Sequence, residues 1–126
     1  MLRISSTFKG LLAAAALASS GLAFAAEPAM MGDDGLLTQH NGLTLYTYDK
    51  DSAGKSACND NCAVNWPPLF AEDGAKAEGK WTIIKRDDGK MQWAYDGKPV
   101  YGFKDDKKAG DVTGDGKGGA WHVIKP

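Results

Sequence analysis

Few side chains in this sequence have chemistry to offer. Cys58 and Cys62 are the only two cysteines in 126 residues. The chain reads as opening on an export leader, and an even pair in an exported protein is most simply a disulfide. The intervening Asn-Asp-Asn is flexible enough to let the sulfurs meet. The competing reading is a Cys-x-x-x-Cys copper or redox pair with His40 or His122 as a third ligand, since two soft sulfurs and an imidazole suit copper.

Carboxylates are the second resource. Asp51 and Asp106 each fall where a predicted strand enters a loop, a place where aspartate accepts backbone N–H bonds in an Asx-turn. The sharper alternative makes them ligands. Asp111, Thr113 and Asp115 stand at the first, third and fifth positions of a stretch with Gly116 at the sixth, like the start of a calcium loop. The twelfth position is His122, where a bidentate glutamate belongs, so the match is partial. Gly114, Gly116, Gly118 and Gly119 match a phosphate loop in composition only, and no nucleophile elbow or zinc signature is present. The expectation is a non-catalytic chain with no cofactor, copper and calcium being the alternatives.

These residues are organised by a phrase the chain states twice, Tyr46-Thr-Tyr48-Asp-Lys-Asp51 and Tyr101-Gly-Phe103-Lys-Asp-Asp106, offset by 55 residues. The same offset lays Gly42 on Gly97, Asp60 on Asp115, Trp66 on Trp121 and Leu69 on Ile124. A register held this long implies duplication. Asn41-Gly42 and Asp96-Gly97 precede the two phrases between apolar runs, the strongest short hairpin signal. Each phrase is therefore expected on the outgoing strand of a hairpin, followed by a charged loop (49–62 and 104–119) that ends at a tryptophan. Residues 81–103 read as a three-stranded meander and 121–124 as a closing strand, while Pro67-Pro68 removes two ladder donors from the segment after Trp66. No helix is expected. The phrase aromatics Tyr46, Tyr48, Tyr101 and Phe103, with Trp66 and Trp121, are expected mainly in the core.

Residues 1–25 read as a signal peptide: Arg3 and Lys9 are basic, Leu11 to Ala18 is apolar, and Ala23-Phe24-Ala25 suits a signal peptidase. The apolar run falls short of the roughly 20 residues that span a bilayer. Removing Arg3 and Lys9 from 15 basic residues leaves 13 against 16 acidic ones, a net charge near −3. That disfavours nucleic acid and anionic lipid as partners. The expectation is a flexible lead-in over 26–35 and a single all-β domain over 36–126. It would be a small antiparallel sheet or sandwich of two hairpin-plus-loop units (repeat 1 about 36–71, repeat 2 about 91–126) in a pseudo-twofold relation.

Both phrases, together with C-x-x-x-C-x-x-x-W-P-P, carry a resemblance to the secreted-repeat family of predicted bacterial lipoproteins with the Yx(FWY)xxD motif, covering residues 36–126. The resemblance implies an exported bacterial protein and supplies no mechanism. Many members carry a lipid on a cysteine just after the leader, whereas no cysteine precedes Cys58 here. A periplasmic or secreted binding or interaction module is therefore expected, its partner an unidentified envelope protein or small ligand.

Overall fold

A computed structural model describes residues 28–126. The leader assigned to residues 1–25 lies outside the described residues. The elements are β1 (Met30–Met31), β2 (Leu37–Thr38), β3 (Tyr46–Tyr48), α1 (Asn61–Asn65), β4 (Trp81–Lys85), β5 (Met91–Tyr95), β6 (Lys98–Pro99), a 3-10 turn (Lys117–Gly119) and β7 (Trp121–Val123). They form small antiparallel sheets ordered β1-β2, β3-β7 and β4-β5-β6. No described helix is long and apolar enough to cross a membrane.

Two equivalent units emerge from the hydrogen bonds. In the second unit β4, β5 and β6 form the expected meander, with Ile83 opposite Trp93 and Ala94 opposite Pro99. The first unit repeats it in reduced form: Met31 lies opposite Leu37, and Thr38 bridges Thr44. The stretch 26–35, read as a flexible lead-in, thus contributes a strand, because the turn through Gly32 and Gly35 folds Met30–Met31 back onto β2.

The two hairpin turns differ. The Asn-Gly and Asp-Gly pairs predict a type I′ turn at both hairpins; Asp96 and Gly97, with positive φ at both (52° and 83°), form it, and Asn41-Gly42 does not. At the first, Gly42 alone is left-handed (φ 88°), and its N–H bonds the Gln39 carbonyl across a turn one residue longer. The Asn41 side chain instead accepts the Leu43 N–H at 3.0 Å, which the wider loop permits. The extra residue also moves the incoming strands out of the 55-residue register: Leu37 and Trp93, 56 apart, make matching bonds to Ile124 and Leu69.

Beyond the turns the phrases leave their hairpins and cross. β3 pairs with β7 of the other unit, Tyr46 opposite Val123 and Tyr48 opposite Trp121. Tyr101 bridges Pro68 in the same way, but Pro67 and Pro68 have no N–H to give, so that pairing stays a bridge. The expectation of no helix fails twice, at α1 and at the 3-10 turn, which occupy equivalent places just before Trp66 and Trp121. Both are single turns, too short for any periodicity to betray them.

Alternation along the phrase strands divides the interior in two. Leu45 and Val100, fully buried, face a cluster with Leu37, Trp81 and Ile124. Tyr46 and Tyr101, also fully buried, face a second cluster with Trp66, Phe103, Trp121 and Cys58.

Candidate functional site

At the join between the units, Tyr46 and Tyr101 exchange both backbone hydrogen bonds, N–H to carbonyl at 2.8 and 2.9 Å. The pseudo-twofold axis passes between them. Each tyrosine then reaches across to the aspartate that ends the other copy's phrase: the Tyr46 hydroxyl donates to Asp106 Oδ2 at 2.6 Å, and the Tyr101 hydroxyl to Asp51 Oδ2 at 2.7 Å. The phrase therefore works as two halves of a reciprocal clasp. The free carboxylate oxygens cap the following loops, Asp51 Oδ1 accepting the Ala57 N–H (2.7 Å) and Asp106 Oδ1 the Thr113 N–H (2.9 Å) and hydroxyl.

The remaining phrase aromatics form a ladder on the same axis. Trp66 and Trp121 stack with centroids 3.8 Å apart and planes 1° from parallel. Tyr48 lies on the outer face of Trp121 at 4.2 Å, and Phe103 on that of Trp66 at 4.1 Å. Tyr46 meets Trp66 edge-on at 5.4 Å, as Tyr101 meets Trp121 at 5.2 Å. The edge-on contacts, at these distances, are favourable beyond their burial.

Burial, and next the Asp106 bond, push the Tyr46 phenol well above the ordinary tyrosine value, and burial followed by the Asp51 bond does the same at Tyr101. Both phenols are protonated donors at neutral pH. Burial also raises the Asp51 carboxyl, although the Tyr101 and Ala57 bonds pull it down.

The clasp is less symmetric in its surroundings. Near Tyr101 lies a buried polar chain: Ser56 Oγ sits 2.5 Å from the phenol, and Arg86 Nη1 donates to Ser56 Oγ (3.1 Å) and Gln92 Oε1 (2.8 Å). Near Tyr46 the counterpart is only the Gly114 N–H, which donates to the phenol at 3.2 Å. Sequence reasoning missed Ser56, Arg86 and Gln92. Strand alternation held a signal, since Arg86 shares a face with buried Ile84, and Gln92 with buried Ala94.

The other candidates are dispersed. Cys58 and Cys62 form a disulfide with Cα atoms 5.1 Å apart, Cys58 fully buried against the aromatic ladder. His122 pairs with Asp49 on the surface at 2.8 Å, and His40 lines a cavity beside Trp81. Among the described residues no three His, Cys, Asp or Glu side chains gather as a metal site. Asp111 Oδ2 accepts the Lys107 and Lys108 N–H groups, the first of which holds its carboxyl below the usual range. Thr113 donates to Asp106, and Asp115 accepts the Val123 N–H at 3.2 Å. Asp111, Thr113 and Asp115 thus face three separate sets of partners.

Two cavities flank the exposed ring of Phe70. One, of about 460 Å³, has Leu69, Phe70, Trp81 and Trp93 as its apolar lining and Glu72, Lys76 and Glu78 among its polar residues. The second, of about 600 Å³, lies between α1, Pro67-Pro68 and the turn from Arg86 to Lys90. Neither includes the phrase residues.

The geometry defines a duplicated all-β module whose repeated motif clasps its two halves together. A family model for a secreted repeat of unknown function matches residues 29–70 and again 82–125, and the chain belongs to that family of exported proteins. The matches begin at β1 and within β4, so each repeat includes the first strand of its meander, earlier than the limits near 36 and 91 drawn from the phrases. No curated protein and no solved structure gives a significant match to the chain.

Proposed function

We propose that this protein is a non-catalytic binding module of the bacterial cell envelope, periplasmic or secreted, whose ligand seat is the aromatic cavity of about 460 Å³. That cavity is the observation carrying the reading. Trp81 forms its buried base and meets Trp93 edge-on at 6.1 Å, while Phe70, 47% exposed, stands at the rim. An apolar lining with a few polar groups at its edge is the usual form of a small-ligand site. The phrase tyrosines and aspartates, by contrast, are committed to one another. On this reading the module needs no cofactor, and its ligand has an apolar or aromatic body.

Titration with benzyl alcohol, followed through the indole N–H resonances, tests the reading. Trp81 and Trp93 should shift saturably while Trp66 and Trp121 stay still, and Trp93→Ala should abolish the response. Shifts spread equally over all four indoles, or none, would overturn it.

A further inference from the structure

We propose that the aromatic ladder and the two clasps form a one-electron relay, which takes up an oxidising equivalent at Tyr48 from a cationic metal-complex oxidant and lodges it on Tyr46 or Tyr101. This activity is separate from ligand binding in the aromatic cavity, which shares none of these residues. A relay needs unbroken ring contact from surface to interior, and the ladder supplies it. Tyr48, half-buried, lies on Trp121 at 4.2 Å with planes 14° apart, and Trp121 lies on Trp66 at 3.8 Å. Tyr101 meets Trp121 edge-on and Tyr46 meets Trp66 likewise, so each ring in the path adjoins the next. The far end is closed: Phe103, much harder to oxidise than tyrosine or tryptophan, covers Trp66, and the Lys117 ammonium 5.7 Å from the Phe103 ring repels a positive hole. The near end has the opposite charge. Tyr48 opens on a cleft of about 350 Å³ whose charged residues are Asp49, Asp51, Asp96 and Lys98, an excess of carboxylate that draws a cation.

The second requirement is a place for the proton, because a phenol that loses an electron becomes a strong acid. Each clasp holds one ready: Asp106 Oδ2 is 2.6 Å from the Tyr46 hydroxyl and Asp51 Oδ2 is 2.7 Å from that of Tyr101, within reach of direct transfer. The oxidant gains one electron, which Tyr46 or Tyr101 supplies through the tryptophans. The phenol proton passes to the paired carboxylate, leaving a neutral phenoxyl radical beside a neutral carboxyl group. A one-electron reductant of the ascorbate class returns the electron, and the proton goes back to the phenol oxygen. Both tyrosines are fully buried, which shields the radical from side reactions with solutes.

Flash–quench generation of tris(bipyridine)ruthenium(III) beside the native protein tests the relay. Transient absorption should show a tryptophanyl radical converting to a tyrosyl radical at a rate independent of protein concentration. The conversion should be slower in D₂O, because a proton moves with the electron. Added salt should slow the first step, the oxidant being a cation drawn by carboxylates. Tyr48→Phe, which keeps a ring on Trp121, should slow that step severalfold, while Tyr95→Phe should change nothing. The chain has four tyrosines, so the Tyr48→Phe/Tyr95→Phe double variant keeps only the clasp pair and should still end on a tyrosyl radical. A tryptophanyl radical that decays without a tyrosyl product in that double variant overturns the proposal. So does a conversion that accelerates with protein concentration or ignores D₂O, and so does a first step indifferent to salt or to Tyr48→Phe.

Discussion

Replacing Tyr46 by Phe tests the reciprocal clasp while keeping the ring in the ladder. The substitution removes one oxygen that makes two buried bonds, a donation to Asp106 Oδ2 at 2.6 Å and an acceptance from the Gly114 N–H at 3.2 Å. A hydrogen bond to a charged group contributes about 1.5–3 kcal/mol, and a stranded buried N–H costs about 1–3 kcal/mol. Asp106 keeps both Thr113 donors, so its carboxylate is not orphaned. The expected loss is about 3 kcal/mol, which for a domain near 100 residues lowers Tm by about 12–20 °C. Tyr101→Phe should cost less, about 2 kcal/mol, because Ser56 keeps Arg86 and the Cys58 N–H as partners and the Asp51 carboxylate is partly open to water. Tyr48→Phe is the control. It makes the first phrase match the second, where Phe103 stands, and should change stability by no more than about 0.5 kcal/mol. Denaturant and thermal unfolding followed by far-UV circular dichroism would report all three. If Tyr46→Phe behaves like Tyr48→Phe, the clasp contributes nothing to stability and the account of the repeated phrase is wrong.

Two further outcomes follow from the same core. Tyr46 and Tyr101 ionise less readily folded than unfolded, so the unfolded phenols lose their protons first as pH rises past their ordinary value of 10.0. Stability from this source is complete below that pH and is lost above it; the denaturation midpoint should fall between pH 9 and 11, and the fall should be smaller in Tyr46→Phe and Tyr101→Phe at matched temperature. Gly114→Ala would place a methyl carbon 2.7 Å from the Trp66 ring and 3.1 Å from Phe103. Because Trp66 is clamped between Trp121 and Phe103, a loss of about 1–3 kcal/mol is expected in denaturant unfolding. Gly102→Ala, whose one close approach is to the end of the long Gln39 side chain (2.8 Å), should be the milder change.

The positions of Asp51 and Asp106 in the sequence, where a strand enters a loop, suggest simple turn-capping, for which asparagine would serve nearly as well. In the folded chain each carboxylate receives only donors, from a backbone N–H, a phenol and, at Asp106, the Thr113 hydroxyl, so an amide NH₂ would confront one of them. That partner lies 60 residues away for Asp106 and 50 for Asp51, a distance over which strand patterning carries no information.

What the sequence determined by itself is whatever depends on local spacing. The 55-residue register declares two like units, Asp96-Gly97 declares a type I′ turn, and alternation puts Tyr46 and Leu45 on opposite faces of one strand. The disulfide is the simplest reading of two cysteines four residues apart in an exported chain, and the bond between them closes the copper alternative only in the folded structure. Tertiary structure decided what lies between distant segments. It crossed the phrases so that each tyrosine binds the other copy's aspartate, stacked Trp66 on Trp121 along the axis, and buried Arg86 with one donor unmatched. A repeat specifies the shape of each half, but which faces of the two halves meet depends on how much aromatic surface and how many buried polar groups can be satisfied at once, a condition that exists only when both halves are folded together.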